Sequence, residues 1–291
     1  MGKNYDYGSF FIIPKIEPFE LDIRKANITV DPKKGDAKAH IHSYFEIFLN
    51  ISGNIDFIVG NHIYSLSHGD LIIIKPNEYH HSIYKHPCTN EYFYIHFPAN
   101  GNEKLFGGLM ELSDKTGGAI NLSTRERDHI IAICDDIISA PQDTPDINKY
   151  LKFFEMLNII YNTQNIKEKE TKSEPQFDSI NAILDYINDN IDSASSVKDI
   201  ASKFHISIKT LERLFITHIG QTPKGYISML RLSKASEYLR DGKSVTDVCY
   251  MCGFKNCSRF IQDFKKQFGE TPFQYKKRFL NSVRNAYYLN E

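Results

Sequence analysis

The chain has 291 residues, 41% of them hydrophobic and 24% charged, which excludes wholesale disorder and a fibrous repeat. Its 35 Lys and Arg against 36 Asp and Glu give a net charge of −1, which taken whole argues against nucleic-acid binding. Five cysteines are too sparse for a disulfide scaffold, the MGKNYDYGSFF start lacks a signal-peptide pattern, and no apolar run approaches a membrane span, so a soluble, cytoplasmic protein is expected.

Residues 10 to 98 carry short runs rich in Ile, Phe and Tyr, and the spans 41–51, 55–59, 63–66, 71–74, 80–84 and 92–97 read as strands. Between them lie good turn formers: Ser52-Gly53-Asn54, Gly60-Asn61, His68-Gly69-Asp70 and Pro76-Asn77. Many short strands at close spacing predict a small β-barrel or sandwich rather than a parallel sheet. After Gly117-Gly118 the apolar period becomes helical, over 124–140 (Ile130, Ile133, Cys134, Ile137) and over 147–161 (Leu151, Phe154, Leu157, Ile160). This helix pair either caps the barrel or lends one stripe to a dimer seam.

A polar, proline-containing stretch at 164–177 has linker composition, and from 178 onward the pattern is helical. The expected organisation is therefore an α+β two-domain chain: 1–163 strand-rich with a helix pair, 164–177 linker, 178–291 all-α. The boundary splits the charge. Residues 178–291 hold 17 Lys or Arg and 12 Asp or Glu, a net of +5, whereas residues 1–177 carry −6. A basic helical domain behind an acidic one restores nucleic acid as a partner for the second half.

That half contains one unit twice. The first copy runs from Val197 through a turn at His205-Ile206-Ser207 to Phe215 and ends in Gly220-Gln-Thr-Pro223. The second runs from Val245 through Gly253-Phe254 to Phe264 and ends in Gly269-Glu-Thr-Pro272. Short helix, tight turn and longer helix make a helix-turn-helix, whose second helix fits a major groove. With Ile206, Leu211, Leu214 and Phe215 inward, Lys209, Thr210, Glu212 and Arg213 are the base-reading candidates of the first unit. With Phe260, Phe264 and Phe268 inward, Asn256, Ser258, Arg259 and Gln262 are those of the second. Arg forks to guanine, Asn and Gln suit adenine, Glu accepts from cytosine and Thr touches a thymine methyl. A connecting helix over 224–239 spans about 24 Å, a length that suits reading helices about one DNA turn, ~34 Å, apart. Lys224, Lys265, Lys266, Lys277 and Arg278 are phosphate-contact candidates, with Lys276 beside them.

The run GFKNCSRFIQDFKKQFGETPFQYKKRF, 253–279, together with the first repeat, resembles the signature of AraC/XylS-type bacterial transcription regulators. The resemblance covers about 180–280. It implies a seven-helix DNA-binding unit whose two reading helices enter consecutive major-groove faces of double-stranded promoter DNA. Cys252 and Gln262 depart from the pattern.

In the first half, His40, His42 and Glu46 share strand parity and are followed by His80-His81. Such a set is either an Fe, Mn or Zn site or the polar lining of a ligand pocket. Its spacing resembles the two motifs of cupin barrels, shortened by one before His40, and also the effector domains of AraC-type regulators. Tyr44, Tyr92, Tyr94 and His96 alternate with apolar neighbours and are candidates to line the same cavity with His40, His42, Glu46 and His80. The resemblance implies a small effector, most often a sugar, and an effector-responsive arm at 9–14; the expected assembly is a homodimer through the first domain, with RNA polymerase contact for an activator. Cys249 and Cys252 fall on an inward helix face and read as packing. No nucleophile elbow or phosphate-cradling loop occurs. The expectation is an effector-responsive regulator without enzymatic activity or cofactor. Its runner-up is a cupin-type metal-dependent enzyme carrying a DNA-binding domain.

Overall fold

The computed structural model describes residues 19–31, 40–84, 86–98, 103–141, 143–163, 178–191 and 196–288; the expected arm at 9–14 and linker at 164–177 lie outside them. In chain order the strands are β1 (Asp22–Val30), β2 (Tyr44–Ser52), β3 (Ile55–Val59), β4 (His62–Leu66), β5 (Leu71–Ile74), β6 (His80–Ile83), β7 (Cys88–Pro98) and β8 (Ala119–Ile120). They form a five-stranded sheet in the order β1-β7-β2-β5-β8 and a three-stranded sheet in the order β4-β3-β6. Every pairing is antiparallel, and the sheets face each other without closing into a continuous barrel among the described residues.

Both faces of the larger sheet are buried, because alternate residues serve different cores. Phe48, Ile72 and Ile74 point inward to meet Phe57 and Val59 of the smaller sheet. Phe45, Ile47, Leu49, Phe93, Ile95 and Phe97 point outward, under the helices α1 (Glu103–Thr116), α2 (Thr124–Ser139) and α3 (Asp146–Asn162). The expected helix pair is thus a trio. α1 escapes a sequence reading because Gly107-Gly108 interrupts its stripe. At Gly108 an added Cβ would stand 3.0 Å from the Tyr161 ring of α3, so the glycine admits that close approach. β1 escapes because DIRKANITV is a charged edge strand, paired on one side only. α2 begins in a capping box, with Ser123 and Glu126 each satisfying the other's backbone, worth about 1 kcal/mol.

The remaining helices are α4 (Asp178–Asp189), α5 (Val197–Lys203), α6 (Ile208–Ile219), α7 (Pro223–Arg240), α8 (Val245–Met251), α9 (Cys257–Phe268) and α10 (Pro272–Tyr288), seven among the described residues. The Gly-x-Thr-Pro endings explain themselves. Gly220 and Gly269 stop α6 and α9 in the left-handed region at φ 73° and 78°. Thr222 and Thr271 then accept the backbone N–H three residues on, and Pro223 and Pro272 fill the first helical position. Leu211, Phe215, Leu239, Phe260 and Phe264 are fully buried in the core these helices share. Cys249 and Cys252 are buried in it, whereas Ile206, Leu214 and Phe268 pack half-buried at its rim.

Candidate nucleic-acid interface and histidine pocket

The first reading unit pairs α5 with α6 through the turn at His205, which takes a left-handed φ of 54°. Lys209, Glu212 and Arg213 stand exposed on α6. Thr210 is half-buried, its hydroxyl sharing a hydrogen bond with the capping Ser207 at 2.8 Å, so its methyl is the part left for a base. In the second unit Ser258, Arg259 and Gln262 are exposed on α9, whereas Asn256 caps it, its Oδ1 accepting from the Arg259 N–H at 2.9 Å. Arg259 Nε donates to Asp263 Oδ2 at 2.8 Å, leaving the outer guanidinium nitrogens for a partner. Among the cations, Lys224, Lys265, Lys266 and Lys277 are exposed. Arg278 donates twice to Glu270 Oε1, at 2.9 and 2.6 Å. Lys276 donates to the Gly242 and Lys243 carbonyls behind α7, a structural task.

A cluster of histidines around Glu46 lies between the two sheets. Glu46 of β2 stands opposite His96 of β7 in the ladder, and His96 Nε2 donates to Glu46 Oε2 at 2.9 Å. His42 Nε2 reaches the same oxygen at 2.9 Å, and His80 Nε2 lies 3.6 Å from it. Burial pushes the Glu46 carboxyl up, but contacts from His42, His80 and His96 outweigh it and hold the pKa well below the usual carboxylate range. Contrary to the strand parity expected from the sequence, His40 and His42 do not share a strand with Glu46: both precede β2, which begins at Tyr44. They reach the pocket by other means. His40 forms an isolated bridge with His80, and the His42 carbonyl accepts from the Asn77 N–H at 2.6 Å. Tyr44 stacks on the His42 ring at 3.8 Å, and Tyr94 lies 4.9 Å from His96. Tyr92, half-buried, stacks instead on Phe48.

Ligand atoms of His40, His42, Glu46 and His80 all lie within 4.8 Å of one another. His80 sets Nδ1 against the Glu78 carbonyl at 2.9 Å, which turns its Nε2 toward Glu46, 3.6 Å from Oε2. His42 sets Nδ1 against the Tyr44 carbonyl at 3.0 Å in the same way. Carbonyls on the outer nitrogens are how metal-binding imidazoles are oriented. Oxygen acceptors thus flank both nitrogens of His42, while burial lowers its pKa. A divalent cation at Nε2 would relieve that conflict, so the residues fit a metal.

Three bonds at the first domain's edge were not legible in the sequence. Gln221, Tyr226 and Tyr275 of the helical half reach across to it. Tyr226 and Tyr275, each three residues after a proline, read in the sequence as ordinary core residues. No helix among the described residues is long and apolar enough to cross a membrane.

Residues 200–278 match the family described as a helix-turn-helix domain, and residues 26–95 match the cupin domain family. The chain is similar to the HTH-type transcriptional activator RhaS of Escherichia fergusonii, 24% identical over 265 residues, covering 87% of this chain and 93% of that protein. It is 23% identical over 259 residues to RhaS of Citrobacter koseri, covering 85% and 91%. Among solved structures, a transcriptional regulator with an AraC-type DNA-binding domain from Chromobacterium violaceum is 30% identical, covers 33% of this chain and 88% of that one, and has a TM-score of 0.32.

Proposed function

We propose that the chain, a DNA-binding transcription regulator of AraC type with an N-terminal cupin domain, reads a promoter sequence-specifically, in the cytoplasm, under control of a small effector held around Glu46. Duplication carries this reading. Two helix-turn-helix units built from the same capped turns leave Lys209, Glu212 and Arg213 on one second helix and Ser258, Arg259 and Gln262 on the other facing solvent. Thr210 and Asn256 belong to the same faces, and Lys224, Lys265, Lys266, Lys277 and Arg278 grip the phosphates beside them. Titration of labelled upstream DNA by fluorescence anisotropy tests it. Preference over a scrambled duplex of equal length is expected, and equal affinity for both overturns the reading.

The effector contacts His40, His42, Tyr44, Glu46, His80, Tyr94 and His96, a set of hydrogen-bonding groups flanked by aromatic rings that suits a sugar or related polar metabolite. A thermal-shift screen over such compounds finds it, because a ligand bound to the native state raises apparent stability by mass action. The protein works as a homodimer through α3, where Ile147 and Leu151 are 60% and 61% exposed. The relatives' description as transcriptional activators supports contact with RNA polymerase.

A second reading is favoured by the outer-nitrogen carbonyl bonds of His42 and His80. It places a divalent cation among His40, His42, Glu46 and His80, as the centre of a cupin-type metal-dependent enzyme with an appended DNA-binding domain. Elemental analysis of the purified chain decides it: no stoichiometric metal removes it.

A further inference from the structure

Tyr226 and Tyr275 hold equivalent places in the two repeats, each three residues after the Pro of Gly-x-Thr-Pro. Both rings are buried in the helical core, at 0% and 1% exposure. A phenylalanine would fill either space, so the hydroxyls need a separate account. Both hydroxyls reach out of the helical half, although that of Tyr275 also meets Ser236 of α7. Tyr226 donates across to the Gly60 carbonyl, in the β3–β4 turn, at 3.1 Å. Tyr275 donates to Asn77 Oδ1, in the β5–β6 turn, also at 3.1 Å. Each repeat is thus tied to the first domain by the same residue, one to a turn within the smaller sheet and one to the turn that leads into it.

The rest of the boundary agrees. Ile58, Ile63 and Ile83 of that sheet belong to one apolar cluster with the helical core. Gln221 donates to the Tyr79 hydroxyl at 2.5 Å, and Ser233 of α7 donates to the Asn77 carbonyl. Asn77 takes a left-handed φ of 63°, which its short polar side chain tolerates, and is 1% exposed. Its own N–H is the one that donates to the His42 carbonyl at 2.6 Å. The turn from Asn77 to His80 therefore has one end among the helices and the other in the pocket.

We propose that Tyr226 and Tyr275 are paired positioning residues that dock both reading units on the first domain, and that the Asn77 turn passes occupancy of the Glu46 pocket to them through the Asn77–His42 bond. The His42 ring and carbonyl belong to one residue, so an occupant that draws the ring moves the acceptor of Asn77. Asn77 in turn holds Tyr275 and Ser233, on α10 and α7. What the pocket controls is the relative setting of the two units, and hence the half-site spacing they fit. This rests on the reading of the chain as an effector-controlled DNA-binding regulator.

Hydrogen-exchange mass spectrometry of the full chain, without DNA, tests the docking. Relative to wild type, Y226F/Y275F should exchange roughly two- to tenfold faster at 58–62 and 75–81 while the α2–α3 core stays unchanged, the range expected for one lost bond per site. Asn77→Gly, which keeps the left-handed backbone, should loosen 75–81 and the first turn of α10. In wild type, Glu46→Gln, which alters the pocket alone, should change exchange at 75–81 and at the first turn of α10. In Y226F/Y275F that change should stop at the turn, which a merely structural role for the tyrosines would not bring about. Unchanged exchange at 58–62 and 75–81 in Y226F/Y275F overturns the proposal, as does a Glu46→Gln effect reaching α10 equally in both backgrounds. Loss of sequence preference in the DNA titration would instead remove the functional reading and leave this docking measurement standing.

Discussion

Arg259 and Asp263 are joined one turn apart on α9 by a 2.8 Å bond from Nε to Oδ2. Arg213 on α6, by contrast, makes no ion pair among the described residues. The two arginines therefore do not start equal. Arg213 can fork to a guanine at the cost of its hydration alone, and Arg213→Ala should weaken binding to a selected site by about 1–3 kcal/mol. Arg259 must share its guanidinium with Asp263, so Arg259→Ala should cost less. Asp263→Ala should tighten binding, by removing both the competitor and a like charge near phosphate. Anisotropy on the selected duplex measures all three, and an Arg259→Ala loss exceeding that of Arg213→Ala would contradict the ordering.

The phosphate candidates differ for the same reason. Lys266 is exposed near the end of α9, while Arg278 already donates twice to Glu270. Lys266→Ala should weaken all sequences alike and lower the salt slope of log K by about one. Arg278→Ala should lower it by less. Titrations at several salt concentrations on cognate and scrambled duplex read both quantities.

The helical half was the more legible part of the chain. Its punctuation is chemical: a left-handed glycine, a capping threonine and a proline each have one local use, and they recur in order at 220–223 and 269–272. The strands around Ile55 and Leu71 were legible because turn formers bracket them. Less came through where tertiary context decides. β1 looks like a polar segment until β7 pairs with it, and His40 and His42 share strand parity with Glu46 without sharing its strand. They converge because backbone bonds from Asn77 and His80 fold them in, partners nearly 40 residues away. The bonds from Tyr226 and Tyr275 were invisible for another reason, since only the hydroxyl distinguishes docking from packing.

Glu46 gathers two imidazole donors at one buried oxygen. Glu46→Ala would leave the Nε2 atoms of His42 and His96 without their acceptor, each a buried or half-buried polar group. A loss of about 1–3 kcal/mol in unfolding free energy is expected, and less for Glu46→Gln, which keeps an acceptor oxygen. Urea unfolding of the three proteins measures it. A Glu46→Ala chain as stable as wild type would mean the histidines find other partners.

On α3, Ile147 and Leu151 lie four residues apart on one helix face and are 60% and 61% exposed, with Ile138 of α2 at 43%. Phe153, Met156 and Ile160 on the opposite side are already buried against the sheet, so the helix does not need its outer stripe to fold. Leaving that stripe in water is unfavourable by about 25 cal/mol per Å² of apolar surface. A second copy of α3 laid against it would remove the exposure from both chains at once, as a two-fold interface does. Leu151→Glu should therefore halve the mass measured by light scattering while leaving the unfolding midpoint of each chain nearly unchanged. The same substitution should weaken binding to a duplex carrying two copies of the site far more than to one copy, because the linkage between subunits is lost. A variant that keeps the wild-type mass would move the dimer seam away from α3.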